Sequence, residues 1–242
     1  MKTLYIIKTG TTFPDTRNRL GDFDQWTADA LGALDIEPGI VDVAHGAALP
    51  EIDTCAGVVI TGSHAMVTDN EPWSLRLEKW ITHLLKAQTP VFGICYGHQL
   101  LARAAGGRVD FHPYGIEIGT VRIDLLPPCS TDPVFRPLSK SFFAHVTHSQ
   151  TVTNLPETAI RLATNAHEPV HAFRLGECAW GVQFHPEYDA GIMRSYIQEQ
   201  KHALASAGRD VSQILDSVSE TPVAAQVLRN FSRFVTDKMA HH

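Results

Sequence analysis

Apolar positions along this chain follow two spacings, and the switch between them is sharpest at residues 90–105, PVFGICYGHQLLARAA. Residues 90–94 form a continuous run rich in β-formers, while Leu100, Leu101 and Ala104 recur at helical spacing after Tyr96. The pattern predicts a strand, a turn at Cys95 and a helix. Upstream, continuous runs at 3–7, 40–43 and 57–61 predict strands, the last apolar throughout as in a strand covered on both faces. Between them, Leu20, Phe23, Trp26, Ala30 and Leu34 predict a helix over 15–34. A second helix over 71–86 is opened by Pro72, with Trp73, Leu77, Trp80, Ile81 and Leu84 as its buried stripe. Alternation of strand and helix predicts a parallel sheet with helices on both faces.

Beyond Gly106 and Gly107, which cap the helix after Cys95, the pattern changes. Short β-like runs at 115–124, 141–146, 159–163 and 169–174, separated by polar turns, predict an antiparallel extension of the parallel core. A buried strand over 179–184 follows, then helices over 189–207, 211–218 and 222–234. No linker or internal repeat interrupts the 242 residues, and one domain over 1–242 is expected. The fold class is α/β: an open, mostly parallel sheet flanked by helices, flavodoxin-like, with that extension.

Composition narrows the function. A net charge of −6 without any Lys/Arg cluster excludes a nucleic-acid surface and leaves small-molecule chemistry as the better expectation. No apolar run is long enough for a transmembrane helix, and Gly10, Pro14 and Asp15 cut short the signal-like start MKTLYIIKTG, so no membrane association is expected. Cys55, Cys95, Cys129 and Cys178 lie far apart in a chain too long to need disulfide staples, which points to reduced thiols in the cytoplasm. Thirteen histidines invite a metal, but there is no HExxH, and His145 with His148 or His241 with His242 gives pairs without a third ligand. No bound metal or other cofactor is expected, and the last pair reads as the remnant of a purification tag.

The candidate chemistry starts at Cys95. Gly93 and Gly97 stand two before and two after it, where a tight strand-to-helix turn leaves no room for Cβ atoms. The turn sets the thiol at a helix N-terminus, where unpaired N–H groups and the helix dipole favour an anion, and the Tyr96 N–H points to where an oxyanion would form. A lone cysteine at a strand end is more often a packed core residue, so a base must be found elsewhere. Ninety residues on, the strand over 179–184 delivers His185, followed by Pro186 and Glu187, a corner that could hold a carboxylate against an imidazole. The loop Gly62-Ser63-His64 opens at the same carboxyl edge of the sheet as Cys95, and its backbone N–H groups could complete an oxyanion hole. A plain turn glycine is the other reading of Gly62. Gln99, one helical turn after Cys95, faces the nucleophile's side of the helix.

GICYGHQ at 93–99 and HPE at 185–187 resemble the signatures of class I, triad-type glutamine amidotransferases. TGSHAMVTDNEPW at 61–73, HSQTVTNLP at 148–156 and TPVAAQVLRNF at 221–231 extend the resemblance over nearly the whole chain, toward the stand-alone, guanylate-synthase-like branch. The resemblance implies a Cys95–His185–Glu187 triad, an oxyanion hole from Tyr96 and the Gly62 loop, and glutamine contacts from Gln99, His148 and Ser149. Gln150 stands where related sequences often carry an acidic residue. The implied reaction is hydrolysis of glutamine to glutamate and ammonia through a γ-glutamyl thioester. No SGGxDS pyrophosphate loop occurs in these residues, so ammonia would pass to a separate synthetase subunit. Two other readings stand beside it: a γ-glutamyl peptidase acting on substrates such as glutathione conjugates, and a non-catalytic regulatory subunit, against which the intact triad argues.

Overall fold

A computed structural model describes residues 2–32 and 38–240. The first half runs β1 (Thr3–Lys8), α1 (Pro14–Leu20), α2 (Phe23–Leu31), β2 (Gly39–Asp42), β3 (Cys55–Ile60), α3 (Pro72–Lys86), β4 (Val91–Ile94) and α4 (Tyr96–Ala104). The second half runs β5 (Arg108–Phe111), β6 (Glu117–Leu125), β7 (Ser141–His148), β8 (Gln150–Asn154), β9 (Ala159–Thr164), β10 (Ala172–Leu175), β11 (Ala179–Val182), α5 (Ala190–Glu199), α6 (Lys201–Ser206), α7 (Val211–Asp216) and α8 (Pro222–Ala240). The main sheet has the order β2-β1-β3-β4-β11-β10-β9-β6-β7. Pairs from β2 to β11 are parallel and pairs from β10 to β7 antiparallel, the parallel core and antiparallel extension that the sequence pattern predicts.

Helices cover both faces of the parallel half, because alternate residues of its strands point to opposite sides. Val59 and Phe92 pack toward α2 and α8 with Leu31, Leu228 and Phe231, while Val58, Ile60 and Val91 pack toward α3 and α4 with Leu77, Ile81 and Leu100. Every residue of β3 and β4 is buried, which is why their sequences read as continuous apolar runs. Gly106, at φ +94°, closes α4 as expected of a glycine just past a helix end.

Three expectations need correction. The helix over 15–34 is two helices: Gly21, at φ +90°, turns the chain, and Asp22 caps α2 by accepting a hydrogen bond from the Phe23 N–H at 2.9 Å. Leu34 lies outside the described residues. The helix over 189–207 is likewise broken at Gln200, between α5 and α6. Residues 108–111 and 150–154 form a separate two-stranded sheet, β5 with β8, that a four-run reading of the extension does not contain.

Candidate active site

β3, β4 and β11 are adjacent parallel strands, and their carboxyl ends carry Gly62, Cys95 and His185 to one edge of the sheet. Gly93 pairs with Ile60 on one side and Gly181 on the other. The Cys95 N–H donates to the Val182 carbonyl at 2.8 Å, extending the β4–β11 ladder to the turn itself. Cys95 stands at φ +48°, ψ −97°, a strained conformation for a residue with a side chain, and it is held there by packing. A Cβ on Gly93 would strike the Gly97 carbonyl, and one on Gly97 would strike the carbonyl of Ile60. These are backbone collisions that no rotamer relieves, so Gly97→Ala is expected to destabilise the fold by about 1–3 kcal/mol or more. A denaturation midpoint equal to that of the unsubstituted protein would contradict this account of the turn.

His185 is fixed from both sides: its N–H donates to the His145 carbonyl at 2.8 Å, and its ring stacks on Tyr188 with centroids 4.1 Å apart and planes at 20°. Its Nδ1 lies 2.8 Å from Glu187 Oε1, and both side chains are buried. Burial opposes charging of the imidazole, but the charges of Glu187 and then Cys95 outweigh it, and the His185 pKa is pushed up to about 10. Three other buried histidines shift in the opposite direction. Burial takes His98 down to about 3 and His145 to about 4, and lowers His171 despite its contact with Glu117. His185 Nε2 has no regular hydrogen-bond partner among the described residues, and Cys95 is the neighbour that raises its proton affinity on that side. Besides this interaction with His185, the Cys95 thiol makes a long contact, 3.8 Å, to the Thr147 carbonyl.

Gly62 lies against both groups. A Cβ there would come within 3.1 Å of His185 Cε1 and 3.8 Å of Cys95 Cβ, so the Gly62 backbone lies close to both groups. Its carbonyl accepts from Thr9 Oγ1 at 2.9 Å, which fixes the orientation of the loop. Neither the Gly62 nor the Tyr96 N–H donates to another group among the described residues, which leaves both available to an oxyanion.

A cavity of about 270 Å³ opens over Cys95 and His185 and is bordered by all of the expected substrate residues, Gln99, His148 and Ser149. Gln99 Nε2 donates to the Gln150 carbonyl at 2.9 Å and to Gln183 Oε1 at 3.0 Å, so its own carbonyl oxygen is the group left for a ligand. Ser149 is half-buried and its hydroxyl is likewise uncommitted among the described residues. The ring of His148 is not: Nδ1 lies 3.0 Å from the Gln150 carbonyl and Nε2 3.0 Å from Glu117 Oε2. Burial would raise the Glu117 carboxyl, but His148 and His171 beside it hold it well below the usual carboxylate range. Gln150 faces away from the cavity, with Oε1 accepting from the Val67 N–H at 3.0 Å and Nε2 donating to Thr68 Oγ1 at 2.6 Å, so it braces the loop after β3. The segment 148–152 is not a surface hairpin: His148, Gln150, Thr151 and Val152 are all buried.

Sequence reasoning missed Phe13, Thr147, Tyr188, Tyr196 and Gln200, which also border the cavity. The available signals were weak: Tyr188 adjoins the HPE corner, and Tyr196 and Gln200 stand four apart at the end of a helical stretch. The remaining cysteines are packed in the core, where burial raises the thiols of Cys55 and Cys178 and pushes Cys129 up to about 12. Iodoacetamide near neutral pH is accordingly expected to alkylate Cys95 first, with peptide mapping as the readout. Equal labelling of all four thiols would count against an activated Cys95.

Fold and centre together define an α/β protein with a cysteine elbow at the carboxyl edge of a parallel sheet and a His–Glu pair beside it. Residues 20–203 match the model of the class-I glutamine amidotransferase family, and the chain belongs to that family. It is 35% identical over 142 residues to a GMP synthase (glutamine-hydrolyzing) of Porphyromonas gingivalis, covering 57% of this chain and 26% of that protein. It is 31% identical over 150 residues to γ-glutamyl peptidase 5 of Arabidopsis thaliana, covering 59% of this chain and 58% of that one. The chain thus spans about a quarter of the length of the GMP synthases it matches. A glutamine amidotransferase crystal structure from Thermotoga maritima superposes with a TM-score of 0.77 at 22% identity, covering 98% of this chain and 99% of that one, and shares its fold. No helix among the described residues is long and apolar enough to cross a membrane.

Proposed function

We propose that this chain hydrolyses the side-chain amide of glutamine to glutamate and ammonia, with Cys95 as nucleophile, His185 as acid and base, and Glu187 as the group that orients and charges the imidazole. One observation carries the reading: His185, alone among the buried histidines whose affinity is shifted, is pushed toward the protonated form, by a carboxylate on one side and the elbow cysteine on the other. That is the arrangement of an acid beside a sulfur nucleophile. The Cys95 thiolate attacks the γ-carboxamide carbon, and the Gly62 and Tyr96 N–H groups receive the oxyanion, each donor worth about 3 kcal/mol of barrier. His185 protonates the departing ammonia and leaves a γ-glutamyl thioester. It then takes a proton from water as the water attacks the thioester carbonyl, and glutamate departs.

The free Gln99 carbonyl suits the α-ammonium of the substrate and the Ser149 hydroxyl its α-carboxylate. With both ring nitrogens of His148 engaged, its contribution is to hold the loop through Glu117 and the Gln150 carbonyl. We assign these functions to one domain built on the nine-stranded sheet. An SGGxDS loop is missing from the 242 residues, so activation of an acceptor lies outside them, and a separate synthetase subunit is the partner we propose for the ammonia. Similarity to a γ-glutamyl peptidase supports a second reading, in which the same thioester forms from a γ-glutamyl peptide.

The deciding experiment is glutamate release by the purified protein from glutamine and from glutathione, with Cys95→Ala as control. Release from glutamine that needs Cys95 is the expected result. Exclusive cleavage of glutathione would replace the first reading by the second, and no turnover of either substrate, together with no alkylation of Cys95, would overturn both.

A further inference from the structure

The cavity over Cys95 has two unlike halves. One is polar, with the Gln99 carbonyl and the Ser149 hydroxyl uncommitted. The other is an unbroken run of rings that begins on the proposed acid itself. Tyr188 stacks on His185 at 4.1 Å, Tyr196 packs on Tyr188 at 5.1 Å, Phe13 packs edge-on against Tyr196 at 5.2 Å, and His64 lies 4.3 Å from Phe13. Thr12 and His64 hold the run in place, the Tyr196 hydroxyl lying 2.7 Å from Thr12 Oγ1 and 3.2 Å from His64 Nε2. Tyr188 and Tyr196 are buried, whereas Phe13 is half-buried and His64 exposed, so the outer rings still present uncovered faces. No Asp, Glu, Lys or Arg among the described residues lines the cavity.

Direction follows from the chemistry. His185 must deliver its proton to the nitrogen that leaves, so whatever that nitrogen carries extends along the side where His185 meets the rings. Ammonia carries nothing there and has no use for an aromatic wall, while a wall of offset and edge-on rings has a strong preference for another ring. We propose that this half of the cavity is a leaving-group subsite for a ring-bearing amine, so that the chain cleaves γ-glutamyl amides of arylalkylamines in addition to glutamine. The inference rests on the thioester reading given above and names its amine side. The steps balance as for glutamine: the Cys95 sulfur bonds to the γ-carbonyl carbon, the C–N bond breaks, and His185 protonates the nitrogen, which departs as the free arylalkylamine. Water then attacks the carbonyl, the C–S bond breaks, a water proton returns to His185, and glutamate leaves.

The test compares γ-glutamyl benzylamide with γ-glutamyl methylamide, two alkyl amides that differ in the ring, alongside glutamine. Filling an apolar subsite with a ring is expected to raise kcat/KM for the benzylamide about 10-fold or more over the methylamide. Phe13→Ala and, independently, His64→Ala are expected to pull that ratio back toward one. A ratio near one in the unsubstituted protein, or a ratio that neither variant changes, would overturn the subsite. Protection of Cys95 from iodoacetamide by the same two amides reads binding without turnover. Protection by the benzylamide at a concentration about 10-fold lower supports the subsite even if no amide is hydrolysed, an outcome that would sink the hydrolytic reading alone. Equal protection by the two amides overturns the subsite whether or not glutamine is a substrate.

Discussion

Cys95→Ala is expected to fold as the unsubstituted protein does and to lose glutamate release by about 10⁴-fold or more, the scale seen when a covalent nucleophile is removed. The fold should survive because alanine meets the same backbone demand at φ +48° as cysteine, and the thiol it removes gives up only its interaction with His185 and a 3.8 Å contact to the Thr147 carbonyl. The elbow is held by other things: the glycines at 93 and 97, and the Cys95 N–H bonded to Val182. Thermal unfolding and glutamate release measured on the same preparation separate the two effects. A variant that retains more than about a tenth of the activity would remove Cys95 from the reaction, since binding and the oxyanion donors without the nucleophile leave only a residual rate about 10⁴-fold or more below the intact centre.

The second largest effect is expected at Glu187. Replacing it with glutamine keeps the shape of the corner but withdraws the negative charge that, against burial, lifts His185 to about 10. Activity is expected to fall about 10³- to 10⁴-fold, because the amide can donate to Nδ1 and favour the wrong tautomer. The pH profile adds a sign. A protonated His185 is needed to expel ammonia, so activity is lost as pH rises through its pKa. With the charge gone that pKa is lower, and the alkaline limb must move to lower pH. An alkaline limb that stays in place, or moves up, would show that Glu187 does not charge the imidazole.

The two substitutions probe parts of the centre that were unequally legible. The elbow was readable because its causes are local: a strand, a strained turn and a helix within a dozen residues need glycines where backbone meets backbone, and Gly93 and Gly97 stand at those positions. The same holds for the buried strands β3 and β4 and for the stripe on α3, where periodicity reports which face is covered. Local reasoning failed where a short signal interrupts a long period, as Gly21 and Asp22 do between α1 and α2, since apolar spacing continues across the break while the backbone does not.

What only the tertiary structure decided depends on sheet order. β11 inserts beside β4 although the chain between them builds the whole antiparallel extension, and that insertion alone brings His185 to Cys95. The HPE corner fixes the Glu187–His185 pair from within three residues, but nothing in it says which cysteine it serves. The same limit applies to His148, whose ring is claimed by Glu117 across the β6–β7 pairing, and to the aromatic wall, which joins Phe13 before α1 to Tyr188 after β11 and Tyr196 on α5. Sequence determined the elements and the reactive groups because backbone sterics and burial act over a few residues. Their meeting was set by which strands share a ladder, a choice made by packing energy over the whole core that no short stretch of sequence records.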